Sequence, residues 1–180
     1  MNILQQGQNI DNGKNPVFQT EKSDNTSEKY GFISSQNIIS FFESNGFSLD
    51  GVSYAGVRDK DKIGFQKHIM VFSRPDLFID GGNKIQILAL NSHDASQSLR
   101  LNIGVYRMVC ANGLIAGDNM FQTRVIHIGN FEEKLKEALN FIVCNVEVLK
   151  SQVNLMRSKT VDFEKAEKFM RNMVDLRLKN

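Results

Sequence analysis

The C-terminal part of the chain carries an apolar seam that strongly limits what this protein can fold into. Seven apolar residues recur there with the spacing 4-3-4-3-4-3, namely Leu135, Leu139, Ile142, Val146, Leu149, Val153 and Met156. That spacing predicts one apolar side along an α-helix of roughly 25 residues. Two interpretations remain open from the sequence: the seam packs on a sheet or a partner helix, or it mediates self-association.

A second helix is predicted after a break at residues 158–160. Thr160 is expected to cap it, with Asp162 in its first turn. Its apolar side is expected to contain Phe163, Ala166, Phe169 or Met170, Met173 and Leu176. Because two helices joined by a short link are typical of an antiparallel pair, we predict a helical hairpin over residues 131–180.

The middle of the chain has the alternating pattern of β-strands. The clearest case is the segment Leu99–Val105, where apolar and polar or small residues alternate. Further strands are predicted at residues 52–58, 65–72, 85–90 and 123–128. The short, turn-rich links between these segments favour an antiparallel or mixed sheet.

A first helix is predicted at Ser35–Ser44, before the strands. Ser34 or Ser35 can cap its amides, and Asn45-Gly46 is a typical helix end. The first 29 residues are too polar to offset their ordering entropy, so they are expected to form a flexible tail. The predicted fold is therefore a single α+β domain over residues 30–180, with a mostly antiparallel sheet, an N-terminal helix and a C-terminal helical hairpin.

Composition restricts the partners and the compartment. The 180 residues carry a net charge of +2, which is too small to indicate a nucleic-acid partner by itself. Residues 51–130 nevertheless hold nine Lys or Arg and six Asp or Glu, a balance of +3, whereas residues 1–50 have a balance of −3. No apolar run is long enough for a membrane span and no signal segment opens the chain, so we expect a cytoplasmic protein.

The reactive side chains are few. Cys110 and Cys144 are 34 residues apart, which excludes the usual structural zinc spacing, and Cys144 lies in an apolar run that predicts a small core residue. A nucleophilic Cys110 would need a base such as His93 or His127, but a packed thiol is the favoured interpretation. A metal site formed by all three histidines would require three strands to converge, so no metal ion and no cofactor is expected.

Two polar motifs end strong apolar strands. Asn91-Ser92-His93-Asp94 follows the third predicted strand, where an Asx-type turn is the favoured interpretation. Arg107 to Gly113 follows the fourth, and its Asn112-Gly113 pair is a tight-turn signal. Because polar groups at such places need partners, we expect the two motifs to lie close together, with Asp94 accepting from Arg107 or Asn112. On that view both motifs are mainly architectural.

These motifs also carry a resemblance. Four short stretches follow one another along the chain. They are Tyr30-Gly31-Phe32-Ile33, then Arg58-Asp59 with Gly64-Phe65-Gln66-Lys67-His68, then Leu90–Asp94, and finally Tyr106–Leu114. The chain resembles the phage- and plasmid-like family grouped as domain of unknown function nine-three-two. The family-motif residues in this sequence are Asn91, Ser92, His93, Asp94, Arg107, Cys110, Asn112 and Gly113. The resemblance implies a gene carried by a mobile element, and it supplies no reaction and no catalytic residue.

The expected function is therefore that of a non-enzymatic binding protein of a mobile genetic element. It would act on a host protein complex, in the manner of an anti-defence protein, or on nucleic acid. One alternative is a single-stranded nucleic-acid-binding or annealing protein, and another is a cysteine-dependent enzyme using Cys110 with His93. Self-association through the C-terminal helices is a further possibility, and no membrane contact is expected.

A nucleic-acid interface would use the basic residues of the middle segment. The candidates for phosphate contacts are Arg58, Lys60, Lys62, Lys67, Arg100, Arg107 and Arg124. Asp59 and Asp61 interrupt this set, the chain has no Trp, and it has only 3 Tyr for base stacking. Such binding is therefore expected to be weak and salt-sensitive.

Overall fold

The computed structural model describes residues 2–5, 15–80, 83–108, 115–129 and 131–178. The chain divides into two compact units, Met1–Leu149 and Lys150–Asn180. The helices are α1 (Ser35–Ser44), α2 (Phe131–Ser158) and α3 (Phe163–Leu178), and the strands are β1 (Asn2–Gln5), β2 (Ser48–Tyr54), β3 (His68–Ser73), β4 (Phe78–Asp80), β5 (Asn83–Asn91), β6 (Leu99–Met108) and β7 (Ile115–Val125). None of the helices in these ranges has the length and apolar character that crossing a bilayer requires.

The first unit is built on one sheet of seven strands in which all described pairings are antiparallel. The strand order is β1-β2-β3-β5-β6-β7, and β4 pairs with β5 beside this path. The prediction of an α+β fold with a mostly antiparallel sheet, an N-terminal helix and a C-terminal pair of helices is confirmed.

One face of the sheet holds the main core, because the strands alternate apolar and polar residues. Phe72, Ile87 and Ile103 lie in register on β3, β5 and β6, and all three are fully buried. Helix α1 contributes Phe42, whose ring centroid lies 4.6 Å from that of Phe72. A second, smaller apolar cluster consists of Val71, Leu88 and Tyr106, with Ile69 and Leu90 packed against it. Val71, Leu88 and Tyr106 occupy register positions that alternate with those of the main core.

Helix α1 begins and ends where the sequence predicts. The Ser34 side chain caps it by accepting a hydrogen bond from the Asn37 amide at 3.4 Å. Gly46, two residues beyond Ser44 at the end of α1, has φ +80°, which is accessible to glycine at little cost and explains why the helix does not continue past its Asn45 cap. Because Ser34 provides the cap, the hydroxyl of Ser35 is available for a different role.

The seam of α2 is buried only in its middle part. Leu139, Ile142, Val146 and Leu149 are at most 3% exposed, which agrees with packing inside the chain. Met156, at the end of the seam, is 63% exposed. The interpretation of Cys144 as a core residue is wrong: its thiol is free and exposed, because it lies on the other side of the helix from Ile142.

Three further predictions are corrected. The first 29 residues, predicted to be a flexible tail without elements, contain β1 and a short 3₁₀ turn at Pro16–Phe18, whose Val17 is 2% exposed. The cap of α3 is Asp162 rather than Thr160, because the Asp162 side chain accepts from the Lys165 amide at 2.8 Å. Strand β4 was not predicted, since three residues are too few for a periodic signal.

Candidate functional site

A buried polar cluster, here called the histidine network, joins α1 to the sheet. It consists of Ser35 on the first turn of α1, His68 at the start of β3, Asn91 at the end of β5, and His93 just beyond it. All four residues are at most 1% exposed. Ser35 Oγ is the common point, at 2.7 Å from His68 Nε2, 3.3 Å from His93 Nε2 and 3.4 Å from Asn91 Nδ2.

The partners of these groups determine the direction of the hydrogen bonds. His68 Nδ1 lies 3.0 Å from the Gln66 carbonyl oxygen, which only accepts, so Nδ1 carries the proton. A neutral His68 then accepts at Nε2 from the Ser35 hydroxyl. The Ser35 hydroxyl has a single proton, which it gives to His68 Nε2. The other two contacts of Ser35 Oγ are therefore bonds that it accepts, from His93 Nε2 and from Asn91 Nδ2. The chain of donors therefore runs from His93 through Ser35 and His68 to the backbone.

Burial keeps both imidazoles neutral. Removal from water lowers the pKa of His68 to about 4, against the raising effect of the Gln66 carbonyl. Removal from water is also the main reason why the pKa of His93 is lowered to about 3, and the neighbouring His68 lowers it further. Two charged imidazoles with ring centroids 5.1 Å apart would repel each other in a medium that screens poorly. The network is therefore a neutral brace, with no side-chain surface open to a substrate.

A second brace uses His127 and Tyr30. His127 Nε2 accepts from the Leu99 amide at 3.2 Å, and its Nδ1 donates to the Gly31 carbonyl oxygen at 3.0 Å. The Tyr30 ring stacks on it at 4.7 Å, and the Tyr30 hydroxyl donates to the Ser92 carbonyl oxygen at 2.8 Å. Burial lowers the pKa of the His127 imidazole. Burial also raises the pKa of the Tyr30 hydroxyl, and the negative charge of Asp94 adds to that increase. Both rings therefore tie the segment before α1 to the sheet.

The remaining residues of the first motif have local roles. Ser92 Oγ donates to the Gln97 carbonyl oxygen and accepts from the Gln97 amide, which closes the loop between β5 and β6. Asp94 Oδ1 accepts from the Ser96 amide at 3.0 Å, which confirms the predicted Asx-type turn. The backbone of His93 donates to Phe65 and accepts from Ser23.

The expected proximity of the two motifs is wrong for Arg107, the first residue of the second motif. Strands β5 and β6 are antiparallel and joined at the Asn91 end, so Leu90 faces Arg100 whereas Lys84 faces Tyr106. Arg107 follows Tyr106 and lies about 25 Å along the strand from the Asn91 end. Asp94 therefore does not pair with Arg107.

The other residues of the second motif, Cys110, Asn112 and Gly113, lie outside the described residues. The enzyme interpretation, Cys110 with His93, stays a prediction, although His93 is itself buried and its Nε2 is engaged by Ser35. In the part of the chain that the structure describes, no group of three or more His, Cys, Asp or Glu side chains is placed to hold a metal ion.

The basic candidates for phosphate contacts fall into separate groups. Arg58, Lys60 and Lys62 are exposed on or beside a short 3₁₀ turn, where Asp59 accepts from the Asp61 amide. Lys67 is exposed just before β3. The exposed residues Arg100 and Arg124 face each other across β6 and β7, and Arg124 Nε donates to Ser98 Oγ. For Arg107 the structure describes the backbone, which pairs with Ala116.

A second polar cluster surrounds Asp50, and no local sequence pattern predicts it. The register between β2 and β3 shifts between Leu49 and Gly51, so Asp50 is the extra residue of a β-bulge. Its carboxylate accepts from Ser73 Oγ at 2.7 Å, Lys84 Nζ at 2.8 Å and Gln86 Nε2 at 2.9 Å. These partners come from two strands, β3 and β5, so only the tertiary fold reveals the cluster, which fixes the bulge.

Together the sheet, α1 and the neutral network define an α+β protein in which Asn91, Ser92 and His93 are buried and hydrogen-bonded within the fold. The family model described as Domain of unknown function (DUF932) matches residues 23–180. The chain belongs to this family.

Two curated relatives come from Escherichia coli (strain K12). The UPF0380 protein YfjQ is 28% identical over 142 residues, which cover 79% of this chain and 52% of the relative. The UPF0380 protein YafZ is 31% identical over 121 residues, covering 67% and 44%. The chain thus spans about half the length of these relatives. No solved structure matches it.

Replacing Ser35 by Ala tests the central position of its hydroxyl. The change removes the donor to His68 Nε2 and the acceptor for His93 Nε2, and both nitrogens stay buried. We expect the free energy of unfolding, measured by urea denaturation, to fall by about 2–6 kcal/mol, since each of the two buried unsatisfied groups costs about 1–3 kcal/mol. Ser44→Ala, at the exposed other end of α1, is the control and should cost under about 0.5 kcal/mol. Equal effects of the two changes would contradict the assignment.

The lowered pKa values predict how stability depends on pH. Unfolding releases His68 and His93 into water, where they take up protons below about pH 6.5, whereas in the folded state they stay neutral down to pH values of about 4 and 3. The free energy of unfolding should therefore fall as pH decreases from 6.5 towards 4, by up to about 1.4 kcal/mol per pH unit for each histidine. Urea denaturation between pH 7 and 5, where carboxylates titrate little, measures this. A constant free energy over that range would refute it.

Proposed function

We propose that this chain is a non-enzymatic binding protein of a phage, plasmid or integrated element, and that it acts on a host protein complex. The observation that carries the proposal is the burial of the motif side chains. Asn91, Ser92 and His93 are 0% exposed and hydrogen-bonded within the fold, so they shape the protein rather than react with a substrate. Function then depends on what the surface presents. The resemblance to phage- and plasmid-like proteins supports the mobile-element part.

The β7 edge of the sheet is the surface best suited to a protein target. Strand β7 is the last in the strand order and is 11 residues long. Natural proteins usually block such edges with charged residues, and the eleven residues of β7 include only two, Asp118 and Arg124. Met120 and Ile126 expose 43% and 51% of their surface there. Met120 is also the extra residue of a β-bulge opposite Ile103 and Gly104. An extended segment of the target would add to this edge by main-chain hydrogen bonds.

The charge distribution favours a protein over nucleic acid. Several basic side chains are paired within the fold, as in Arg74 with Asp76 and Glu147, and Lys84 with Asp50. Arg58, Lys60 and Lys62 alternate with acidic residues in sequence, which weakens any phosphate-tracking stripe. Single-stranded nucleic-acid binding is therefore the second candidate, supported by the facing pair of Arg100 and Arg124.

A pull-down from host lysate with the full chain as bait tests the proposal. We expect a protein that remains bound after nuclease treatment. Met120→Lys combined with Ile126→Lys should reduce its capture at least about tenfold, because lysine on an edge strand opposes strand addition. The control is Lys165→Ala combined with Lys168→Ala on α3, which should leave capture unchanged.

A nucleic-acid target would give a different result in the pull-down. Capture that nuclease abolishes, together with oligonucleotide binding that Arg58→Ala, Lys60→Ala and Lys62→Ala weaken, would overturn the protein target. By counterion release, contacts to three to five phosphates would give a log–log salt slope of about −2 to −4. If a protein is captured equally well by the unchanged chain and by the chain with the two β7 substitutions, the proposed surface is contradicted.

A further inference from the structure

The second unit, residues 150–180, exposes an unusual amount of apolar surface. On α3, Phe163 is 83% exposed, Phe169 64% and Met170 66%. The other exposed large apolar residues in the described part of this unit are Leu155, Met156, Val161, Met173 and Val174, each between 48% and 63% exposed. Monomeric proteins rarely leave a continuous apolar patch of this kind uncovered.

The α3 residues of this set form one stripe, which we call the α3 stripe: Phe163, Phe169, Met170, Met173 and Val174. At 100° per residue they span about 140° of the helix circumference. The opposite side holds Glu164, Lys165, Glu167, Lys168, Arg171 and Asp175, three acidic and three basic residues. A helix that binds a membrane surface or nucleic acid would carry an excess of Lys and Arg on this side. The balanced charge therefore points to a protein surface.

We propose that the α3 stripe is a dimer interface, in which α3 packs antiparallel against α3 of a second copy of this chain. The five side chains of the α3 stripe, each losing about half or more of a surface of the order of 150 Å², offer roughly 400 Å² per copy. A standard protein–protein interface buries about 800 Å² per partner, so the stripe predicts a small interface and a weak dimer. A two-fold axis covers the stripes of both copies at once.

The charges beside the stripe are also self-complementary. Glu167 and Arg171 lie on the same flank of the stripe and form an ion pair within the helix at 2.7 Å. In an antiparallel helix pair, equivalent flanks of the two copies meet. A two-fold axis passing near Phe169, midway between Glu167 and Arg171 in sequence, places Glu167 of each copy beside Arg171 of the other. The same two residues then form a network of four charges across the interface.

Sedimentation velocity of the full chain over a range of concentrations tests the proposal. We expect a dimer of twice the 20.4 kDa chain mass. Met170→Glu places a charge in the centre of the stripe and should convert the dimer to monomer. Because this substitution could act through the helix itself, circular dichroism should show unchanged helix content.

Charge exchange gives a sharper test. Glu167→Arg and Arg171→Glu, made singly, should each weaken the dimer at least about tenfold, because like charges then meet on the flank. The double exchange should restore it. Lys168→Glu, a charge reversal on the far side of α3, is the matched control and should have no effect. A monomer at every concentration would overturn the proposal. So would a dimer that persists with Met170→Glu, or a dimer that the double exchange does not restore. The β7 substitutions should leave the dimer intact, so the two proposals fail separately.

Discussion

The hydrogen bonds at Ser35 Oγ hold the first unit in its arrangement. They connect the start of α1 to β3 and to the end of β5, and all groups involved are buried. Burying two imidazoles is favourable only if they stay neutral and their polar atoms find partners. The Ser35 hydroxyl provides one hydrogen-bond partner for each imidazole, because it donates to His68 Nε2 and accepts from His93 Nε2. This contact fixes the first turn of α1 on the sheet, Phe42 packs the helix against Phe72, and His127 and Tyr30 hold the segment before it.

The sequence predicts those parts of the fold that depend on local chemistry. Helix α1 has the predicted bounds because Ser34 and Gly46 define its ends, and β6 is recognised by its alternation. The helices α2 and α3 follow from their apolar spacing. The short strands β1 and β4 escape prediction because their pairing with β2 and β5, rather than their residues, makes them strands.

The site was predicted only in part, because its geometry depends on contacts between distant segments. His93 and Asn91 belong to the predicted motif, but the sequence offers Ser35 only as a helix cap, and only the fold brings His68 beside it. The expected pairing of Asp94 with Arg107 failed for a physical reason. A short loop joins β5 to β6 at the Asn91 end, so an antiparallel register sends Arg107 to the opposite end. The loop length in the sequence already contained this information.

The central claim is that the histidine network is a neutral, buried framework. The most direct test is a nuclear magnetic resonance titration of the imidazole nitrogens of the folded chain between pH 7.5 and 5. The account predicts that His68 keeps its proton on Nδ1 over the whole range and that neither His68 nor His93 becomes charged. Titration of either ring with a midpoint near the ordinary value of about 6.5 would contradict it, because that result requires an imidazole open to water.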